Sequence, residues 1–572
     1  MLQAQHESSF LFPVGVSDFR KLITGNFIYV DKTLGIKHVL QESEISIICR
    51  PRRFGKTLFM SMLQHFFADA VDAIPTKTLF HNSLLARQEP KIVEQHQGKY
   101  CVIFLTFKDL KSTNFDSAYQ GIKQLLWQLY EEHIAVLDSH LLSETEKEQF
   151  RRILTKTQDF EETRTALKDL SHFIFKAYQK RVVVLIDEYD TPILSGYLEN
   201  YYKDIIRFMK GFLGAGLKDN PYVIKTVLTG IIRVAKENLF SDLNNAEVYS
   251  VLRDSYSDDF GFTESEVNQL LQKTDLSHQA EDIKKWYNGY KIGTQTIYNP
   301  WSIISCLKHK GKFEPYWVNT SANELIRKIL AEASAEAKIQ LETLMQGGEI
   351  ICPVDEHITF EDLSEDDTAL WSLLLFSGYL TAQNVQLDAL SYYQCDLSIP
   401  NQEVLSLYRK QLVSSLRDRI GVKRYDAFIN HLLTGNLEAF QELLNHILLQ
   451  TISYFDTQGN QPERFYHGFI LGLIATLHDS YHIYSNRESG LGRYDIALIP
   501  LDASRLGLVL EFKTIADPKD LETGAKEALK QTKTKLYATE LLSAGIKKVL
   551  QIGMAFCGKK VAIASQQVEK SL

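Results

Sequence analysis

The stretch Arg50-Pro-Arg-Arg-Phe-Gly-Lys-Thr57 lies directly after the apolar run Ile45–Cys49 and directly before the segment 58–67, LFMSMLQHFF. A phosphate-binding loop has the pattern G-x-x-x-x-G-K-[ST] between a strand and a helix. The final Gly-Lys-Thr matches that pattern, whereas Arg50 occupies the position of its first glycine. The setting between strand and helix favours a phosphate loop over the simpler alternative, a basic helix cap.

The chemistry of such a loop tolerates the arginine, because it depends on backbone N–H groups and on the last two residues. The N–H groups of the loop and of the helix N-terminus face the phosphates. Lys56 is expected to reach the β and γ phosphates of ATP, and the Thr57 hydroxyl is expected to bind Mg²⁺. The residues predicted to bind the nucleotide here are Arg50, Pro51, Arg52, Arg53, Phe54, Gly55, Lys56 and Thr57.

A second apolar run, residues 182–186, ends in two acids, Asp187 and Glu188. Five consecutive apolar residues fit a strand covered on both faces, and ligands of open α/β sheets bind at the carboxyl ends of strands. Asp187 is expected to bind Mg²⁺, and Glu188 to polarise the water that attacks the γ-phosphate. A solvated strand end would explain the acids alone, but together with the loop they favour a nucleotide site.

Strands and helices alternate over the first 250 residues, which predicts a parallel sheet with helices on both faces. The middle of the chain is predicted to be helical, and the last part to be a second α/β domain. We place three domains at 1–255, 256–455 and 456–572. The strands predicted for the first domain are Ile45–Cys49, Cys101–Phe107, Val182–Asp187 and Tyr222–Thr229, with helices near 116–137 and 146–179.

The composition is that of a globular protein, with 45% hydrophobic and 23% charged residues among 572. The net charge is −8, from 63 Lys and Arg against 71 Asp and Glu, so any DNA contact must come from a local basic patch. Six cysteines without a C-x-x-C pair support neither a structural zinc site nor a disulfide framework. We find no signal peptide and no membrane-spanning run, and therefore expect a cytoplasmic protein without a membrane partner.

A second candidate site lies near the C-terminus. Segments 492–499 and 507–513 read as two strands of a hairpin, with Asp495 on the first and Glu511 and Lys513 on the second. The two-residue step places Glu511 and Lys513 on one face of their strand, and the hairpin brings Asp495 beside them. Two carboxylates suit a hard cation, and the lysine suits positioning a water that the metal activates. A surface hairpin without chemistry is the alternative.

These segments together resemble the bacterial AAA-ATPase-like family, whose members commonly carry a C-terminal PD-(D/E)XK nuclease domain. An arginine in place of the first glycine is common in that family. The resemblance covers about residues 11–325 and about residues 460–560. The matching segments are Tyr29–Thr33, Arg50–Thr57, Ile186–Pro192, Leu228–Gly230 with Arg233, Asn238–Asn245, Phe260–Glu264, Trp286–Tyr290, and Glu463 with Phe465–Gly468.

The resemblance implies a RecA-like or AAA-like P-loop core with a helical lid, and a restriction-endonuclease-like C-terminal domain. It implies that Thr229 senses the γ-phosphate and that Arg233 neutralises transition-state charge, in cis or across a subunit boundary of a homo-oligomer. It further implies that Glu463 is a third acid near the nuclease metal, Mg²⁺ or Mn²⁺. A strand-end cap, a surface ion pair and helix solvation are the respective alternatives for these three residues.

The sequence therefore predicts an ATPase fused through a helical middle to a metal-dependent nuclease, with ATP gating or driving the cleavage of nucleic acid. DNA is favoured over RNA as the partner. Two alternatives stay open. In the first, the C-terminal module binds DNA without cutting it. In the second, the chain is a nucleotide-dependent signalling or assembly switch whose partners are proteins.

Overall fold

The structure is a computed structural model of the chain, and the residues it describes form two compact units. The first unit comprises Met1–Glu332 and Glu349–Val404, and the second comprises Ala333–Gly348 and Leu405–Leu572. The described residues are 10–231, 245–317, 334–345, 347–358, 362, 366–388, 392–408, 410, 421–451, 462–474, 477, 480–485, 488–489, 492–493, 495–534, 537–543 and 545–569.

The first unit is built on a five-stranded sheet in which every neighbouring pair is parallel. In spatial order the strands are Cys101–Thr106, Val182–Asp187, Val223–Gly230, Ile45–Cys49 and Ala246–Tyr249. Ile45–Cys49 and Val182–Asp187 are buried at every residue, as expected of parallel strands covered on both faces. The predicted parallel sheet is confirmed, and each predicted strand end lies within one residue of the observed end. The edge strand Ala246–Tyr249 was not predicted, because its four residues include a charge and no apolar run.

Helices pack around this sheet, and one predicted helix is in fact two. The segment 146–179 contains Glu144–Thr155 and Phe160–Tyr178, because Lys156 adopts a left-handed φ of +56° that ends the first helix. Asp159 then caps the second. The helices up to residue 217 are Phe19–Thr24, Gly35–Gln41, Lys56–Phe67, Leu84–Gln88, Pro90–His96, Phe115–Glu132, Glu144–Thr155, Phe160–Tyr178, Thr191–Leu198 and Tyr202–Leu217, with a small hairpin of Ala70–Val71 and Ile74–Pro75.

The rest of the first unit contains helices and, in addition, antiparallel strands. The helices are Glu264–Lys273, Ala280–Tyr287, Pro300–Lys308 and Asp367–Phe376. The strands are Tyr290–Ile292 paired with Gln295–Ile297, and a three-stranded sheet in the order Ile350–Val354, Tyr393–Ser398, Thr381–Leu387. The helical character of the middle region is confirmed, but its strands were not predicted. Ile350–Val354 lies in the acidic stretch 340–365, which shows no clear periodicity, and Tyr290–Ile292 and Gln295–Ile297 have only three residues each.

The second unit contains a five-stranded mixed sheet. Its strands are, in spatial order, Tyr481–Ser485, Ile496–Pro500, Gly507–Thr514, Lys548–Cys557 and Lys560–Glu569. Gly507–Thr514 and Lys548–Cys557 run parallel, and the other neighbouring pairs are antiparallel. The further elements are the helices Ala335–Met345, Val422–Thr434, Leu437–Thr451, Pro462–Ile474, Leu521–Thr534 and Tyr537–Ser543, and the short strands Glu488–Ser489 and Gly492–Arg493. The predicted hairpin is confirmed.

The two units do not coincide with the three predicted domains, whose bounds at 255 and 455 stay a prediction. The chain passes from the first unit to the second after residue 332, returns after 348 and leaves again after 404. None of the helices in the described ranges is long and apolar enough to cross a membrane.

Candidate nucleotide and metal sites

Asp187 ends the strand Val182–Asp187, and its side chain is fully buried. Thr57, in the first turn of the helix Lys56–Phe67, donates from Oγ1 to Asp187 Oδ2 over 2.8 Å. Thr229, near the end of the neighbouring strand, donates from Oγ1 to Asp187 Oδ1 over 2.7 Å. The two parallel strands end at the same edge of the sheet, which brings their last polar side chains together. A hydroxyl and a carboxylate of this kind are ligands that suit Mg²⁺.

Lys56 lies inside its own loop. Its Nζ donates to the carbonyl oxygens of Arg50 and Pro51, both over 2.9 Å, and the residue is 5% exposed. Burial lowers the pKa of the ammonium, and the nearby carboxylates of Glu188 and Asp190 act against that shift. The ammonium of Lys56 thus binds carbonyl oxygens of its own loop. Phosphate oxygens are acceptors of the same kind and can take the place of these carbonyl oxygens.

Glu188 follows Asp187 in a left-handed backbone conformation with φ +51°. Such conformations are sparsely populated by non-glycine residues and cluster at functional sites. The side chain is half-buried and accepts a hydrogen bond from Thr191 Oγ1 over 3.3 Å. Burial raises the pKa of this carboxyl, and Asp187 raises it further, whereas Lys56 opposes the shift. A carboxylate with a raised pKa suits a group that orients and polarises a water.

Arg50 is buried, and its guanidinium is bound by backbone carbonyls. Burial lowers the pKa of the guanidinium to about 10. Its backbone N–H donates to the Gly230 carbonyl over 3.1 Å, which fixes the start of the loop to the neighbouring strand. The side chain thus ties the loop to the segment 249–256. The acceptors are the carbonyl oxygens of Cys49, Tyr249 and Ser250 for Nη1 and of Ser255 and Tyr256 for Nη2, at 2.8 to 3.1 Å.

Gly55 ends the loop and precedes the helix Lys56–Phe67. Its φ of +89° lies in the left-handed region, which a side chain would strain, so that glycine is required here by the backbone. Phe54 and Pro51 are buried, and Arg52 and Arg53 are half-buried. Arg233 lies outside the described residues, so its predicted role is not addressed by the geometry.

In the second unit, the hairpin pairs Ile496 with Leu510, so Asp495 and Glu511 come next in the same register. Asp495 Oδ2 accepts the backbone N–H of Phe512 over 2.7 Å, which turns this carboxylate towards the second strand. Glu511 is buried, with 3% exposure. The hairpin thus places Asp495 and Glu511 at adjacent positions of the two strands, as the sequence predicted.

Lys513, two residues after Glu511, is half-exposed and forms an ion pair with Glu527 of the helix Leu521–Thr534. This partner was not predicted, because it lies on a separate element fourteen residues along the chain. His467 is buried, and its Nε2 lies 3.0 Å from the Asp495 carbonyl oxygen, which agrees with a packed helix residue. Glu463 lies in the first turn of the helix Pro462–Ile474, and its side chain is outside the described residues.

Comparison with known families matches residues 13–240 to the family described as predicted AAA-ATPase, and residues 461–566 to the PD-(D/E)XK nuclease superfamily. The chain carries one domain of each kind. The resemblance inferred from the motifs is confirmed. The AAA-ATPase-like domain contains the loop 50–57 and Asp187, and the nuclease-superfamily domain contains the hairpin with Asp495 and Glu511.

One relative and one solved structure extend this comparison. An uncharacterized protein in the vnfD 5′ region of Azotobacter chroococcum is 27% identical over 547 residues, which cover 93% of this chain and 94% of the relative. A Walker-type ATPase of Pyrococcus abyssi aligns with 10% identity and a TM-score of 0.33, over 66% of this chain and 94% of that chain.

The nuclease-superfamily domain fits a divalent metal through Asp495 and Glu511. Mg²⁺ is usually bound by one or two carboxylates and keeps several waters, so two acids suffice for it. Within the part of the chain that the structure describes, no group of three or more His, Cys, Asp and Glu side chains is placed to bind a metal ion. Glu463 stays the predicted third acid.

Sequence reasoning missed two residues of the AAA-ATPase-like domain. Thr106 ends the strand Cys101–Thr106, and its Oγ1 lies 3.5 Å from Asp187 Oδ2. Asp190 is 5% exposed and accepts the backbone N–H of Ile231 over 2.7 Å, which joins the segment after the acids to the end of the next strand. A polar residue at the end of each strand was the available signal, because parallel strands end at one edge of the sheet.

Proposed function

We propose that the AAA-ATPase-like domain binds and hydrolyses ATP with Mg²⁺. The observation that supports this most strongly is that two threonine hydroxyls donate to the Asp187 carboxylate. Thr57 belongs to the phosphate loop, and Thr229 belongs to the strand next to that of Asp187. In this proposal Thr57 and Asp187 bind the Mg²⁺, Lys56 neutralises phosphate charge, and Thr229 senses the γ-phosphate.

The proposed hydrolytic step uses Glu188 and, in addition, Arg233. Glu188 orients the water that attacks the γ-phosphate, and Arg233 neutralises the charge of the transition state. The raised pKa of Glu188 gives this step a pH dependence. Because the base must be ionised, ATP turnover falls as the pH decreases through that raised pKa.

We further propose that the nuclease-superfamily domain cleaves nucleic acid, with DNA favoured, and that the nucleotide state of the first domain gates or drives cleavage. Asp495 and Glu511, with Glu463 as a third acid, would bind Mg²⁺ or Mn²⁺, and the metal would activate a water. Lys513 would position that water or stabilise the charge that develops on the phosphate. The neighbouring register of the two carboxylates supports this assignment.

The experiment that tests the proposal incubates the purified protein with panels of DNA and RNA, with and without Mg²⁺ and ATP. We expect cleavage that requires the metal and changes with ATP. Binding of DNA without cleavage under any condition would favour the non-cutting module. Nucleotide-dependent assembly without nucleic-acid affinity would favour the switch.

Replacing Glu188 with glutamine is expected to leave ATP bound while turnover falls by about 10²-fold or more, the usual contribution of a positioned base. The amide keeps the size of the side chain and can still accept from Thr191, so the fold of the site is preserved. Equilibrium binding of ATP and release of phosphate measure the two effects. Glu199→Gln, at an exposed glutamate after the helix Thr191–Leu198, is the control. Normal turnover in the Glu188→Gln protein would show that the base is another residue.

A further inference from the structure

Three consecutive residues of the phosphate loop contact aromatic side chains of the segment 290–317, and all of them belong to the first unit. The contacts are Trp317 Nε1 with the Arg52 carbonyl oxygen at 3.1 Å, the Arg53 guanidinium carbon with the centre of the Trp301 ring at 3.5 Å, and the centres of the Phe54 and Tyr290 rings at 5.1 Å. Tyr290 ends the motif Trp286–Tyr290, Trp301 lies in the segment YNPWS at 298–302, and Trp317 lies beyond both.

Arg53 is the loop residue whose conformation needs such support. Its φ of +64° lies in the left-handed region, which a residue other than glycine adopts only where its surroundings maintain it. The guanidinium of Arg53 lies over the indole of Trp301, in the geometry of a cation–π interaction, and the buried carboxylate of Glu403 also acts on its charge. The half-buried position of the guanidinium strengthens that attraction, because fewer waters compete for the charge.

Trp301 is itself fixed by one hydrogen bond from its backbone and one from the indole of its side chain. It lies in the first turn of the helix Pro300–Lys308, where Asn299 Oδ1 accepts its backbone N–H over 2.9 Å. Its indole Nε1 donates to the Tyr316 carbonyl oxygen over 3.2 Å. The ring therefore presents a fixed surface to Arg53.

Glu403 joins the two tryptophan-bearing segments. Its Oε2 accepts from Ser302 Oγ over 2.7 Å, and its Oε1 accepts from the backbone N–H of Trp317 over 2.7 Å. The carboxylate is fully buried. Glu403 thus connects Ser302, which is next to Trp301, with Trp317, which binds the Arg52 carbonyl oxygen. The two segments that contact the loop are therefore held to each other.

We propose that Trp301 is a positioning residue of the nucleotide site, which maintains the left-handed conformation of Arg53 and with it the shape of the phosphate loop. The proposal rests on the ATP site proposed above. Trp301 contacts neither Lys56 nor Asp187 in the described geometry. Its loss therefore weakens the binding of ATP, while ATP that is bound is hydrolysed at nearly the normal rate.

The first test replaces Trp301 with alanine and measures the Kd of Mg-ATP by calorimetry and the turnover at saturating ATP. We expect the Kd to rise by about 5- to 30-fold, the range of a partly desolvated cation–π contact. We expect kcat to change by less than about twofold, and Trp301→Phe, which keeps an aromatic face, to recover most of the affinity. Trp286→Ala is the matched control, because Trp286 is also half-buried but packs on Phe313.

The second test uses Arg53→Gly, since glycine adopts a φ of +64° without a side-chain contact. In this background Trp301→Ala is expected to change the Kd by less than about twofold, so the two substitutions are coupled. An unchanged Kd in Trp301→Ala, an equal loss in Trp286→Ala, or a full effect of Trp301→Ala in the Arg53→Gly background would each overturn the proposal. A parent protein that binds no ATP would instead refute the nucleotide site itself.

Discussion

Lys56→Ala is expected to abolish ATP hydrolysis, with a loss of at least about 10²- to 10³-fold, as for other preorganised groups that stabilise transition-state charge. The ammonium is buried and is bound to the carbonyl oxygens of Arg50 and Pro51. It is therefore already in place when the γ-phosphate arrives, and it does not have to be drawn from solvent. Release of phosphate under multiple-turnover conditions measures the loss, and calorimetry measures the affinity for ATP.

Lys225 offers a closely matched control for this substitution. It is also buried, at 7% exposure, and its Nζ also donates to two carbonyl oxygens, those of Glu42 and Ser43, over 2.7 and 2.6 Å. It lies near the start of the strand Val223–Gly230, whereas the phosphate loop follows the end of the neighbouring strand. Lys225→Ala thus removes the same kind of contact at the opposite end of the parallel strands, away from the phosphate loop. Equal loss of hydrolysis in both variants would assign the effect of Lys56 to folding.

Asp495→Asn or Glu511→Gln is expected to abolish metal-dependent cleavage of nucleic acid. Two carboxylates are a small ligand set for Mg²⁺, and either substitution leaves too few charged oxygens to bind the ion. The amide at 495 can still accept the backbone N–H of Phe512, so the hairpin is preserved. Calorimetry of Mg²⁺ or Mn²⁺ binding beside a cleavage assay separates loss of the metal from loss of chemistry, and the ATPase rate should stay unchanged.

Lys513→Ala should suppress cleavage while the metal is still bound, because the lysine acts on the water and the phosphate and is not a ligand. Asp502→Asn is the control for the hairpin, since Asp502 lies in the turn between the two strands and its Oδ1 likewise accepts a backbone N–H, from Ser504 over 2.9 Å. Cleavage that survives Glu511→Gln would refute the metal site. Loss of cleavage in Asp502→Asn as well would indicate a damaged hairpin.

The core of each unit could be predicted from local sequence. Runs such as Val182–Asp187 are apolar on both faces, and the acids at their ends mark the edge where ligands bind. The hairpin that carries Asp495 and Glu511 could also be predicted from local sequence. The two-residue step from Glu511 to Lys513 and the short turn between the strands determine which residues are neighbours. The contact of Asp187 with Thr229 follows once their two strands are known to be parallel neighbours. The contact with Thr57 follows once the phosphate loop is placed after the next strand of the same sheet, Ile45–Cys49.

The rest depends on contacts between residues distant in sequence. The pairing of Ile350–Val354 with Tyr393–Ser398 joins segments about forty residues apart. Tyr393–Ser398 alternates apolar and polar residues, but nothing in the local sequence identifies its partner strand. The binding of Arg50 to the carbonyl of Tyr249 crosses 199 positions. No local sequence pattern identifies the acceptor of such a hydrogen bond, because every residue has a backbone carbonyl.

The buried guanidinium of Arg50 limits which residues this loop tolerates at position 50. A glycine at position 50 would restore the common pattern, yet it would leave several buried carbonyl oxygens without their donor, among them those of Tyr249 and Tyr256. Each buried acceptor that loses its partner destabilises a protein by about 1–3 kcal/mol. Arg50→Gly alone is therefore expected to destabilise the first unit, and compensating substitutions in the segment 249–256 would be needed to restore its stability.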